Sequence, residues 1–153
     1  MKQIYIESIL LIERLHRRFL DVIKTELERL HIDDVNNIQT LILYNISTEQ
    51  LTIGELTNRG YYLGSNVSYN VKKLVENNYL VQERAQHDKR SSRIKLSEKG
   101  LVLCQKVDEL YQRNVESLAA HNITENDLQS TNATLNQLER FWSDYINNTY
   151  KVK

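Results

Sequence analysis

Glycine and proline, the residues that most readily break helices, are nearly absent. The 153-residue chain has four glycines and no proline, where average usage would give about 11 and 8. Gly54, Gly60 and Gly64 fall within eleven residues and Gly100 stands alone, so the long stretches on either side carry neither breaker. Long helices require such stretches. The same shortage disfavours a turn-rich all-β sandwich and rules out collagen-like, Gly/Ser-linker and Pro-rich disordered classes. With 41% hydrophobic residues, the chain is too apolar for intrinsic disorder and long enough to bury the core of one domain without disulfides.

Apolar periodicity places the helices. Between residues 5 and 30, Ile9, Ile12, Leu15, Phe19, Ile23, Leu27 and Leu30 step by three or four, the stripe of one long amphipathic helix. Asp33-Asp34 is positioned to cap a second helix carrying Val35, Ile38, Leu41, Ile42 and Ile46. Thr52-x-x-Glu55 has the spacing of a capping box and predicts a short third helix over Ile53–Arg59. Gly60 to Gly64 reads as a turn, after which Ser65 opens a fourth helix through Asn77. Tyr79–Arg84 and Arg93–Ser97 read as two short strands joined by a polar, basic loop, the second showing period-two alternation at Ile94 and Leu96. After Ser97 the helical period returns at Leu103, Val107, Leu110 and Leu118. Thr124-x-x-Asp127 then opens a last helix with Leu128, Leu135, Leu138, Trp142 and Tyr145 on its stripe. The expected fold is mainly α with a small β-hairpin wing: a winged helix-turn-helix between long helices, which the family resemblance described below makes a helical dimerisation domain.

The fourth helix carries the first functional signal. Val67, Val71, Leu74 and Val75 share its core side. Ser65, Asn66, Tyr69, Lys72 and Lys73 point away, flanked by Ser68 and Asn70. Hydroxyls, amides and lysines on one exposed face have the chemistry to meet base edges and phosphates in a DNA major groove.

Charge placement is the second signal. The formal net charge is zero, yet Arg84 to Lys99 holds six basic residues against two acidic ones, a local +4 offset by −4 elsewhere. Basic side chains on a hairpin neutralise phosphates and release counterions, and arginine suits the narrow, negative minor groove.

Leu74-Val75-Glu76-Asn77-Asn78-Tyr79-Leu80, then Asp88-Lys89-Arg90-Ser91-Ser92-Arg93-Ile94-Lys95-Leu96-Ser97-Glu98-Lys99-Gly100, resembles the winged-helix region of MarR-family transcriptional regulators. Asp88, Arg90, Leu96, Ser97 and Gly100 match that family's D-x-R…L-[ST]-x-x-G wing signature in register. The segment Arg59 to Asn70 is similar to an LdtR-like alphaproteobacterial branch. The resemblance implies a homodimer that binds double-stranded DNA at a pseudo-palindromic operator. It implies a single MarR-like domain over 1–153, with 33–100 as the DNA-binding lobe and 1–32 plus 101–153 as the dimerisation lobe. Ser65, Asn66, Ser68, Tyr69, Asn70, Lys72 and Lys73 on the fourth helix, with Lys89, Arg90, Ser91 and Arg93 on the wing, become the DNA-binding candidates. Arg90 would lie at the wing tip near the minor groove, and Asp88 would brace the wing. Asn78 replaces a common family glycine before the strand; asparagine tolerates left-handed backbone.

Independently of the resemblance, Ile4, Tyr5, Ile9, Leu10, Phe141, Trp142, Tyr145 and Ile146 crowd the two ends of the chain with more apolar surface than one small domain covers, which favours a dimer. The resemblance also implies a ligand pocket between the dimerisation helices and the DNA-binding lobe, for which His16, Arg17, Thr40, Tyr44 and Tyr62 are the candidates and a small aromatic or weakly acidic compound the effector. Cys104 is expected to be an inert, at least half-buried thiol. The four histidines lack metal-ligand spacing and no catalytic motif is present, so neither a metal, a cofactor nor an enzyme is expected. Glu7 and Glu13 interrupt the apolar N-terminus, so no membrane segment is expected and a cytoplasmic protein is the default. The competing class is a dimeric winged-helix scaffold or antirepressor with no operator of its own.

Overall fold

The computed structural model describes residues 1–60, 64–85 and 88–150, without the side chains of residues 60, 64–65, 85, 88–91 and 150. Six α-helices and one small antiparallel sheet make up the chain, as the breaker pattern requires. It divides into two compact units, Met1–Leu110 and Tyr111–Lys153.

In the first unit, α1 (Lys2–Arg29) follows the predicted stripe, but only Ile23 and Leu27 of that stripe are buried within the chain. Helix α2 (Asn37–Ile46) starts later than Asp33-Asp34 would place it. Its N-cap is Asn36, whose side chain accepts from the Gln39 N–H at 2.8 Å while Gln39 Oε1 accepts from the Asn36 N–H at 3.1 Å. Asp34 is drawn instead to Tyr79 and Lys99. The Thr52–Glu55 capping box forms as predicted, with bonds of 3.0 and 3.1 Å, and opens α3 (Ile53–Gly60).

Helix α4 (Gly64–Glu76) buries Val67, Val71 and Leu74 against the core that α2, α3 and the sheet share. It ends where Asn78 turns left-handed at φ 64°, and the Tyr79 N–H reaches back 2.9 Å to the Leu74 carbonyl. Asparagine thus supplies the conformation for which glycine is the usual choice at this cap.

The sheet has one strand more than expected. The two-residue β1 (Leu51–Thr52) pairs with β3 (Asp88–Leu96), which also pairs with β2 (Leu80–Ala85), giving the order β1-β3-β2. The hairpin is longer than the sequence suggested. Asp88 to Ser92 belong to β3 rather than to a loop, because pairing continues from Ile94↔Gln82 out to Asp88↔Ala85 across an irregularity near Glu83–Ala85. The inner part of β3 rests on the core, with Ile94 and Leu96 buried. The outer part shows no apolar alternation that a sequence reading could detect.

Helix α5 (Glu98–Leu118) is capped by Ser97, whose hydroxyl accepts from the Gly100 N–H at 3.1 Å and donates to the Asn78 carbonyl at 2.5 Å. Leu103, Val107 and Leu110 of α5 are buried.

In the second unit, the end of α5 runs through a 3-10 turn (Ala119–His121) into α6 (Glu125–Tyr150). The Thr124–Asp127 box forms, with Asp127 accepting from the Thr124 N–H at 2.8 Å. Val115, Leu118, Ile123 and Leu128 line an open groove of about 570 Å³ where α5 runs into α6. No helix of the structure is long and apolar enough to cross a membrane.

Candidate nucleic-acid interface

Helix α4 presents two opposed faces. Val67 is fully buried and Val71 and Leu74 nearly so, while Asn66, Ser68 and Lys72 are exposed and Tyr69 is 60% exposed. The apolar side anchors the helix; the polar side offers an amide, a hydroxyl, a phenol and an ammonium to solvent. The Ser65 side chain lies outside the described residues. Lys73 is half-buried, pairs with Glu76 at 3.3 Å and stands 5.9 Å from the Tyr69 ring centroid. Its charge steadies Tyr69 as well as facing outward.

Asn70 is engaged inside the protein. Its Oδ1 accepts from Gln39 Nε2 at 3.1 Å and its Nδ2 donates to the Asn66 carbonyl at 2.9 Å. The predicted readers are therefore not equivalent: Asn66, Ser68 and Tyr69 face out, and Asn70 is tied to α2.

The basic run also divides. Lys95 pairs with Glu83 across the hairpin at 3.1 Å, and Lys99 pairs with Asp34 at 2.6 Å. Arg84 and Arg93 are exposed on β2 and β3. The side chains of Asp88, Lys89, Arg90 and Ser91 lie outside the described residues, so the bracing role of Asp88 and the placement of Arg90 rest on the sequence.

Residues singled out for an effector differ in their surroundings. His16 and Arg17 are exposed on α1. The buried Thr40 hydroxyl donates to the Asn36 carbonyl at 2.8 Å, and the Tyr44 hydroxyl donates to Asp108 at 2.5 Å. Thr40 lines a cavity of about 10 Å³ together with Ile23, Glu26, Leu103 and Lys106, whereas His16, Arg17 and Tyr44 do not. Tyr62 lies outside the described residues. Among the described residues, no three of His, Cys, Asp and Glu converge as a metal site would need.

The MarR-family sequence profile matches residues 33–91, from the approach to α2 into the hairpin. Over 140 residues the chain is 36% identical to the exopolysaccharide II synthesis transcriptional activator ExpG of Rhizobium meliloti (strain 1021), covering 92% of this chain and 72% of that protein. The chain belongs to the MarR family. This MarR-family transcriptional regulator is similar to Staphylococcus aureus MarR in complex with salicylate and kanamycin, with a TM-score of 0.76, 26% identity and coverage of 94% and 93% of the two chains. It shares its fold with Streptococcus pneumoniae FabT, solved in complex with DNA, at a TM-score of 0.73, 15% identity and coverage of 92% and 99%. As a MarR-family regulator it has no enzymatic role.

Sequence reasoning missed Gln39 and Asp34. The Asn36-x-x-Gln39 spacing could have flagged Gln39 as a cap. Nothing local in the sequence ties Asp34 to Lys99.

Proposed function

We propose that this MarR-family regulator acts as a homodimer that reads a pseudo-palindromic operator with α4 in the major groove and the β2–β3 hairpin against the flanking backbone. The observation that carries this reading is the exposed Asn66, Ser68, Tyr69 and Lys72 face opposite the buried Val67, Val71 and Leu74. Exposed amides and hydroxyls on a helix held by an apolar back are what direct base readout uses. Exposed Arg84 and Arg93, together with the Lys89–Arg90 pair of the sequence, supply phosphate charge. The DNA-bound FabT neighbour supports the same reading. Residues 33–100 serve as the DNA-binding lobe and 1–32 plus 101–153 as the dimerisation lobe, in the cytoplasm of a bacterium.

Exposed apolar surface supports the dimer. Ile4 is 68% exposed on α1, and Phe141 and Tyr145 are 60% and 68% exposed on α6. Apolar surface of this kind on terminal helices is stabilised by a second copy. A small aromatic or weakly acidic compound modulates binding, with His16, Arg17, Thr40, Tyr44 and Tyr62 as candidate contacts. The salicylate bound by Staphylococcus aureus MarR has this chemistry.

The test is selection from a pool of randomised duplexes. Two inverted half-sites centred about one helical turn, 10–10.5 base pairs, apart are expected. No enrichment over random sequence would favour a scaffold without its own operator. Sedimentation of Phe141→Glu, expected to shift toward monomer, tests the dimer. Calorimetry of salicylate against free and DNA-bound protein tests the effector, because a regulating ligand must bind the two forms unequally.

A further inference from the structure

The apolar back of α4, with Val67, Val71 and Leu74 buried, fixes which face of the helix turns inward. A directional bond does more. Gln39, 8% exposed at the start of α2, makes three hydrogen bonds: its N–H to Asn36 Oδ1 at 2.8 Å, its Oε1 from the Asn36 N–H at 3.1 Å, and its Nε2 to Asn70 Oδ1 at 3.1 Å. The cap dictates which end of the amide faces which way. Oε1 must meet the Asn36 N–H, so the NH₂ end points at α4. That in turn orients Asn70, with Oδ1 toward Gln39 and Nδ2 toward the Asn66 carbonyl at 2.9 Å.

We propose that Gln39 is a positioning residue for operator reading: through Asn70 it fixes the rotation of the α4 turn that presents Asn66 and Tyr69, and Asn70 is its partner rather than a base reader. The inference rests on the reading of α4 as the groove-entering helix. Each end of the half-buried Asn70 amide makes one bond inside the protein, so turning the amide to pair both its ends with a base edge would break those bonds and leave the Gln39 donor unsatisfied. Asn66 and Tyr69 stand on the same turn as Asn70, and a small rotation there would misdirect both.

A double-mutant cycle on Gln39→Glu and Asn70→Ala tests this. Glutamate keeps the acceptor that caps α2, puts an oxygen where the donor to Asn70 was, and adds a charge that the α2 N-terminus favours. The quantity measured is the affinity for a duplex selected by the wild-type protein, relative to a scrambled duplex of the same length. Each single variant should lower that ratio about tenfold, and the double variant no further, because both remove one shared interaction. The loss should spread over all positions of the half-site. In the folded wild-type protein the Gln39 side-chain amide signals should be shifted and slow to exchange, and Asn70→Ala should return them toward solvent values. Losses that multiply, or a loss in Asn70→Ala confined to one base pair, would overturn the proposal. If Gln39→Glu does not fold, the Asn70→Ala base-preference profile and the Gln39 amide signals decide alone. Asn66→Ala and Tyr69→Ala serve as controls: wild-type selectivity in both would remove α4 from the groove, and this inference with it. Loss in the controls with multiplicative effects in the cycle would sink the inference and leave the proposed function standing.

Discussion

Asp34 and Lys99, 65 residues apart in sequence, meet with 2.6 Å between Oδ2 and Nζ. The pair joins the approach to α2 to the first turn of α5. Tyr79 completes it: its hydroxyl donates to Asp34 Oδ1 and its ring lies 4.2 Å from the Lys99 ammonium. Lys99 also donates to the Asn77 carbonyl at 2.9 Å, and Asn77 Nδ2 to the Asp34 carbonyl at 2.9 Å. Three connections between elements are thereby fastened at the base of the hairpin.

The pair makes stability depend on pH. Desolvation is the largest single influence on Asp34 and acts to raise its pKa. The Lys99 and Tyr79 hydrogen bonds and the Lys99 charge together outweigh it and hold the carboxyl below its ordinary value. A carboxylate whose pKa is lower folded than unfolded stabilises the fold above its unfolded pKa, about 3.9, and loses that contribution as pH falls through the folded value. Asp34→Asn, which keeps an acceptor for Tyr79 and removes the charge, should therefore be less stable than wild type at pH 7. Both partners are substantially exposed, so the difference should be at most about 1 kcal/mol. Urea unfolding as a function of pH should show the gap closing below about pH 4; a gap that is constant down to pH 2 contradicts this.

Gly100 is required for space. A Cβ there would stand 2.4 Å from the Tyr79 carbonyl oxygen and 3.3 Å from Leu96 Cδ2. The first of these is backbone, and it already accepts the Ser97 N–H at 3.0 Å. Gly100→Ala should thus destabilise the protein by about 1–3 kcal/mol through overpacking, despite the better helix propensity of alanine. A raised urea midpoint would show that the α5 start moves aside freely. This contact gives a physical reason for the glycine that ends the wing signature.

Arg93 is exposed on β3, opposite Glu83 in register. If it contacts a phosphate, Arg93→Ala should weaken binding to selected and scrambled duplexes alike. The slope of log affinity against log salt should fall by about 0.9 per lost contact. An unchanged slope in the folded variant takes Arg93 out of the interface.

Cys104 is half-buried on α5, and burial, with the Asp108 charge second, pushes its thiol up to about 11. It should remain protonated at pH 7 and react slowly, since the thiolate is the nucleophile. Iodoacetamide labelling should still be rising about tenfold per pH unit beyond pH 9, where an ordinary thiol levels off, and Cys104→Ser should keep wild-type DNA affinity under both reducing and oxidising conditions. Fast labelling at pH 7 would contradict this.

Where structure follows from local sequence, it was legible. The Thr52–Glu55 and Thr124–Asp127 boxes fixed two helix starts, and the Val67, Val71, Leu74 spacing identified the buried side of α4. Features created by distant partners were not. Strand β1 is two residues that become a strand only by pairing Leu51 with Ile94 and Thr52 with Arg93. Asp34 looked like a cap because the residues that divert it, Tyr79 and Lys99, are far along the chain. The bond that ties Asn70 to Gln39, 31 residues away, leaves no periodic trace. In the interface, composition announced the exposed face of α4; which side chains on it are already engaged emerged only from tertiary contacts.

The central claim is that the outward face of α4 reads bases. It is tested most directly by the base-preference profile of Asn66→Ala and Tyr69→Ala on the duplex that the wild-type protein selects. At least one variant should lose about 1–3 kcal/mol of discrimination at a defined base pair of each half-site. Its preferences elsewhere in the half-site should be retained. Profiles identical to wild type in both folded variants would contradict it.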